Sequence, residues 1–161
     1  MSFTSVKESD NYITLKEDWE RIVNINIIDK DKVIWCPFYC DGSQKEIFKE
    51  LGYLKVIHED RDFFKYTPEY DILVDNPPFS KIREVLKKLE KLDKPFILIC
   101  PNHTFNYRYF QRPFGKHLQL IIPNKRVKFK HLTRDYTSGS LPFDCYYFCY
   151  KLNLPKDLIF L

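Results

Sequence analysis

The stretch Tyr70–Leu86, YDILVDNPPFSKIREVL, decides how the chain is read. Asp71 to Asp75 is a short apolar run of the kind that enters a buried sheet. Asn76-Pro77-Pro78-Phe79 follows at once. Ser80 then caps an amphipathic helix with Ile82, Val85, Leu86 and Leu89 on one face. Two successive prolines donate no backbone hydrogen bond and hold φ at roughly −65°. A core strand therefore ends in a rigid, donor-poor turn that carries an amide and an aromatic ring.

Working outward, the same alternation recurs on both sides. Lys32 to Cys36 (KVIWC) is an apolar run stopped by Pro37, and Ser43 caps a helix whose inner face is Ile47, Phe48 and Leu51. Gly52 stands where a helix-ending glycine belongs. Leu54 to His58 (LKVIH) reads as the next strand, and Phe96 to Cys100 (FILIC), closed by Pro101, as the most apolar one. Upstream, Leu15 to Val23 has helical spacing with Thr14 as its N-cap. Downstream, Phe105 to Phe110 fits a helix, while Leu118 to Ile122, Val127 to Phe129 and Phe143 to Leu152 fit strands. Asp135 to Leu141 reads as a polar loop. Short apolar strands alternating with amphipathic helices predict an α/β fold with a mostly parallel sheet and right-handed crossovers. Ligands of such sheets bind beyond the carboxyl ends of the strands. The turns Pro37–Gly42, Glu59–Phe64, Asn76–Phe79 and Pro101–His103 are expected to surround one cleft.

Composition bounds the reading. The chain has 161 residues, enough for a single domain with a sizeable core, and the polar residues 1–11 are expected to be flexible. Net charge is +4, which permits a polyanionic partner without demanding one. The first residues, MSFTSVKESDNY, hold no apolar stretch of the signal-peptide kind, and no window is long and apolar enough to span a membrane. Five cysteines without metal-type pairing fit reduced thiols in a cytoplasmic compartment, the host's if the protein is viral. His58, His103, His117 and His131 have no metal-ligand spacing. No nucleophile triad and no phosphate-binding glycine loop stands out.

The turn itself carries the chemistry. Asn76 offers a side-chain carbonyl, and the carbonyl of Pro77 is a second acceptor held still by its ring. Phe79 offers a stacking surface. Two acceptors converging on one NH₂ group favour a pyramidal nitrogen and free its delocalised lone pair. The catalysis would come from positioning and electrostatics.

Strand, Asn-Pro-Pro-Phe and capped helix in this order resemble the catalytic element of the S-adenosylmethionine-dependent amino-methyltransferases. The similarity is greatest to small phage-type DNA adenine-N6 methyltransferases and spans roughly residues 10–151. It implies a Rossmann-like class I methyltransferase fold with a C-terminal antiparallel hairpin, S-adenosylmethionine as methyl donor, and Asn76, Pro77, Pro78 and Phe79 as the catalytic motif. Tyr12-Ile13-Thr14-Leu15 is similar to the family's Tyr-x-Thr-Pro element, with Leu15 in place of the proline. Pro37-Phe38-Tyr39-Cys40-Asp41-Gly42 stands at the family's cofactor loop; its glycines are missing except Gly42, and a Pro-Phe pair resembling the phage group is present. By the same resemblance Tyr12, Thr14, Pro37, Phe38, Asp41, Gly42 and Asp75 belong to the cofactor set. Glu59 or Asp60 would meet the ribose, and Asp62 with Phe63 the cofactor's adenine.

On the substrate side, Lys125 to His131 interleaves basic and apolar residues. It fits either a phosphate-contacting strand or a charged edge. Arg108, Lys125, Arg126, Lys128 and Ser138 are the substrate candidates, with Arg112 and Lys116 adding charge. Ser138, Gly139 and Pro142 are expected to border the pocket, and Asn106, Tyr107 and Tyr109 to help hold a flipped base. The chain has no room for a separate target-recognition domain: either it reads little sequence, or it recognises a small or structured substrate, or a second copy or a partner subunit supplies recognition. Nucleic acid is the expected partner, DNA before RNA. Two other readings stay open: an inactive methyltransferase-like binding subunit, and methylation of a protein glutamine.

Overall fold

The computed structural model describes residues 12–132 and 143–161, with the backbone of 137–138. The flexible start expected at residues 1–11 lies outside the described residues.

The elements run β1 (Tyr12–Thr14), α1 (Lys16–Val23), β2 (Ile34–Trp35), α2 (Gln44–Glu50), β3 (Val56–Ile57), β4 (Ile72–Asp75), α3 (Ile82–Leu92), β5 (Phe96–Pro101), α4 (Arg108–Phe114), β6 (Leu118–Ile122), β7 (Phe129–His131), β8 (Thr137–Ser138), β9 (Cys145–Tyr150) and β10 (Leu158–Phe160). Single 3₁₀ turns, Phe79–Lys81 and Asn102–Asn106, precede α3 and α4. Seven strands form the main sheet in the order β10-β6-β9-β5-β4-β2-β3. β3, β2, β4 and β5 are mutually parallel, and β9 runs antiparallel to both β5 and β6. This is the Rossmann-like α/β architecture expected, with its reversed strand near the C-terminus.

Period-two alternation sorts the side chains onto the two faces. Ile34, Val74, Ile97, Ile99 and Tyr147 join Trp19, Ile22 and Phe48 of α1 and α2 in one buried cluster. Trp35, Leu73, Phe96, Leu98 and Phe148 join Val85, Leu86 and Leu89 of α3 and Phe110 and Phe114 of α4 in the other. Strands buried on both faces must be apolar throughout, which is why KVIWC and FILIC carry no alternation.

Several boundaries differ from the sequence reading, each for a physical reason. Thr14 does not cap α1: it ends β1, and Leu15 stands at the cap without a side-chain bond. Ser43 makes no side-chain cap bond either, and Ser80 lies within the 3₁₀ turn, so that Lys81 stands at the cap of α3. Asp41 accepts from the Ser43 amide (3.0 Å) and hydroxyl (2.6 Å) instead. Gly52 does end α2, at φ +96°, with its amide bonded to the Lys49 carbonyl. The polar segment after Asp135 contains β8, and the basic segment is not an edge. β7 is the middle strand of a second, antiparallel sheet, β1-β7-β8. Its alternation is as expected: Phe129 and His131 are buried and Lys130 is exposed. β1 and β10 have no strand signature in the sequence, because three residues are too few for a period to show.

Leu98 lies in β5 between β4 and β9 and is fully buried. Leu98→Ala is expected to lower unfolding free energy by about 2–5 kcal/mol, read from the urea midpoint at unchanged slope.

Candidate active site

The chain turns to opposite sides of β2 at two points. After β2 it crosses to β3, and β4 then lies on β2's other flank. The order of the sheet reverses between β2 and β4, which makes this the switch point where a cleft opens. Asp75, the last residue of β4, bridges it. Its Oδ2 accepts the Phe38 amide at 2.7 Å and its Oδ1 accepts the Asn76 amide at 2.7 Å. Burial pushes the Asp75 carboxyl up to about 8, while the two amide bonds act in the opposite direction.

Asn76 follows, half-buried, and its Oδ1 is enclosed with no hydrogen-bond partner among the described residues. A buried, unpaired carbonyl costs about 1–3 kcal/mol, so such an atom is normally kept for a ligand or a water. Pro77 and Pro78 are buried and pin it. The Pro78 carbonyl accepts from Lys81 at 2.9 Å, starting the turn into α3. Among the described residues the Pro77 carbonyl accepts no hydrogen bond. Phe79 is half-buried and meets Phe129 (6.2 Å, 86°) and Phe143 (5.9 Å, 67°) at steep angles rather than in parallel stacks.

Tyr12, Ile13, Thr14, Phe38, Tyr39, Cys40, Gln44, Asp75 and Asn76 line a narrow cleft of about 10 Å³, the space of one water. The sequence-derived residues Tyr12, Thr14, Phe38, Asp75 and Asn76 do converge here. β1 brings the first two by pairing with β7. Thr14 Oγ1 is a second enclosed atom without a partner. Tyr39 and Cys40 belong to the Pro37–Gly42 loop expected here, whereas Gln44 went unnoticed in the sequence. Gln44, a buried polar residue at the start of an otherwise apolar helix face, was the signal available; its amide donates to the Val74 carbonyl at 3.2 Å.

The other nominated cofactor residues sit differently. Pro37 is buried and Gly42 turns the chain at φ +80°, its amide bonded to the Tyr39 carbonyl at 2.8 Å. A Cβ on Gly42 would meet the Tyr39 hydroxyl at 2.6 Å. Asp41 is occupied by Ser43, just ahead of α2. Glu59 is exposed and turned to Arg61 (3.4 Å) and the Tyr66 hydroxyl (3.2 Å). Asp60 is also exposed. Asp62 Oδ1 accepts the Phe64 amide at 2.9 Å. Phe63 is buried against Trp35 and Phe38, so its ring belongs to the core. The residue that turns inward at the end of β3 is His58. It is buried, stacks on Tyr39 at 5.0 Å, and donates from Nδ1 to the Cys36 carbonyl at 2.7 Å. That bond leaves Nε2 as an acceptor, and Nε2 has no partner. Burial, foremost, lowers the His58 pKa and keeps the ring neutral.

Among the substrate candidates, Arg108 begins α4 on the surface, and Lys125 and Lys128 are exposed. Arg126 pairs with Asp144 at 2.6 Å and donates to the Phe143 carbonyl at 2.9 Å. The side chain of Ser138, together with Gly139 and Pro142, lies outside the described residues. A larger cleft of about 470 Å³ runs between Phe64–Thr67 and the Lys87, Lys88 and Lys91 stripe of α3. Among the described residues none that lines it holds an enclosed, unpaired side-chain atom, in contrast to the cleft at Asn76.

No family model and no curated protein matches the chain. Among solved structures it is similar to a SAM-dependent O-methyltransferase from Thermotoga maritima, at 14% identity and a TM-score of 0.48, covering 89% of this chain and 68% of that one. It is also similar to a proposed methyltransferase from Thermoplasma acidophilum, at 9% identity and a TM-score of 0.35, covering 79% and 60%.

Asp75 supplies a pH test. Its native carboxyl holds a proton up to about pH 8, whereas in the unfolded chain it ionises near its ordinary 3.8. The stability it contributes is complete below about pH 4 and is lost as pH rises through about 8. Thermal midpoints should fall across that window, and Asp75→Asn should flatten the decline.

Proposed function

We propose that the chain is an S-adenosylmethionine-dependent methyltransferase acting on the exocyclic N6 amine of adenine in DNA. The observation that carries this reading is the enclosed, unpaired Oδ1 of Asn76, held by two prolines at the carboxyl end of a central parallel strand. An acceptor in that state fits an amine donor and disfavours a ligand that brings only acceptors.

The donor set at the cleft suits the methionine end of the cofactor. Asp75 offers a carboxyl that a cationic ligand would draw into its ionised form, and Thr14 Oγ1 is an enclosed polar atom beside it. The adenosine end has less provision: Asp62 and Glu59 are engaged elsewhere and Phe63 is core, which leaves His58 Nε2 as the unpaired acceptor at β3. When bound, S-adenosylmethionine supplies an electrophilic methyl group on a cationic sulfur. The chain's own part is positional. Asn76 Oδ1 and the Pro77 carbonyl would accept the two amine protons and localise the nitrogen lone pair, while Phe79 fixes the plane of the base.

A second reading is favoured by one observation. The Tyr39–His58 stack and the local uses of Asp41 and Gly42 leave the cleft nearly closed, as a methyltransferase-like binding subunit without activity would have it.

Calorimetry with S-adenosylmethionine separates the two. The enzyme reading expects saturable binding, with proton release near pH 7 seen as a dependence of the heat on buffer ionisation enthalpy. No binding by the chain would favour the subunit. Tritiated methyl transfer to DNA, RNA and protein pools then assigns the substrate. Asn76→Ala should cut the rate to DNA by about 100-fold or more; a full-rate variant would exclude the proposed role.

A further inference from the structure

The proposed catalytic ring is the inner end of a continuous series of aromatic contacts that reaches the surface. Phe79 meets Phe143 at 5.9 Å. Phe143 meets His103 at 5.6 Å, and His103 meets Tyr107 at 5.9 Å. Tyr107 then stacks on Tyr109 at 5.1 Å with only 11° between the rings, and the Arg83 guanidinium lies 5.7 Å from the Tyr109 ring. The series follows the carboxyl edge of the sheet. His103 stands in the turn after β5 and Tyr107 at the start of α4.

Its outer end is unusual. Tyr107 is 42% exposed although it is a large ring already stacked against another. Tyr109, beneath it, is half-buried and backed by Arg83, and Arg108 is exposed between them in sequence. The pair is thus a supported aromatic platform with the Arg83 guanidinium beside it. That combination suits a nucleobase whose face is free, flanked by its phosphates. A base inside a duplex has no free face to offer.

We infer that Tyr107, supported by Tyr109, is a stacking subsite for an unpaired base next to the target adenine, so that the substrate is single-stranded or locally melted nucleic acid. This rests on the adenine reading for the target, but the platform makes its own demand: a base whose face is free.

The test needs neither methyl donor nor turnover, so a chain that transfers no methyl group still answers it. Fluorescence anisotropy is measured with single-stranded DNA, single-stranded RNA of the same sequence, and the DNA duplex. Single strands should bind at least fivefold tighter than the duplex at equal salt. Tyr107→Ala should weaken single-strand binding by on the order of tenfold and leave duplex binding unchanged, while Tyr107→Phe retains the affinity. A 2-aminopurine beside the target adenine should be quenched by the parent chain and not by Tyr107→Ala. Preference for DNA over RNA, or the reverse, names the strand the platform serves. Equal affinity for duplex and single strand, or a Tyr107→Ala chain that is natively folded by circular dichroism and binds single strands as before, would overturn the inference.

Discussion

At the point where β2 and β4 diverge, two strands that share a ladder hand their chains to opposite sides of the sheet. The peptide groups just past them, Phe38 and Asn76, then lack a ladder partner. The Asp75 carboxyl takes both amides, one on each oxygen. Each would otherwise be a buried orphan at a cost of about 1–3 kcal/mol. A carboxyl is the smallest side chain with two acceptors in one plane, so the position is chemically narrow. Once both oxygens are engaged, the Asn76 side chain is left to point elsewhere, and the prolines after it forbid a relaxed alternative. The unpaired amide oxygen is therefore a product of the fold's own bonding, and not an isolated oddity of one residue.

Much of this was legible in the sequence. The strands Lys32–Cys36, Asp71–Asp75 and Phe96–Cys100 announced themselves because both sheet faces are covered, and a short unbroken apolar run bounded by prolines or polar turns suits few positions besides a doubly covered strand. The double proline located the turn just as plainly, since its restriction is covalent. Local side-chain pairing was less readable. Thr14, Ser43 and Ser80 have the chemistry of helix caps, yet strand pairing took Thr14, Asp41 took the Ser43 hydroxyl, and a 3₁₀ turn moved the cap of α3 from Ser80 to Lys81. The basic segment around Lys128 alternated as a strand should, but whether it formed an edge depended on β1 and β8, which are too short to be seen.

The loops after β2 and β3 show a different kind of limit. Charged and glycine positions there were matched to a cofactor by their order along the chain. The fold assigns several of them to local work: Asp41 to a helix start, Gly42 to the space under Tyr39, Asp62 to its own turn. What stands at the cleft instead is a tyrosine–histidine stack whose two members come from separate turns, 19 residues apart in number (58 − 39). Neither residue belongs to a spacing pattern. Only the parallel pairing of β2 with β3 brings them together.

The small sheet has a consequence for how the molecule comes into being. Thr14 reaches the cleft because β1 pairs with β7, and Asp18 of α1 accepts the Lys128 amide across 110 residues at 3.0 Å. The Asp18 carbonyl also takes the Tyr147 hydroxyl, 129 residues away. One wall of the cleft is therefore made well before β7 and β9 and can be seated only after both have followed. Such high-separation contacts come late and slow the approach to the native state. The cleft is completed only as segments more than a hundred residues apart are drawn together.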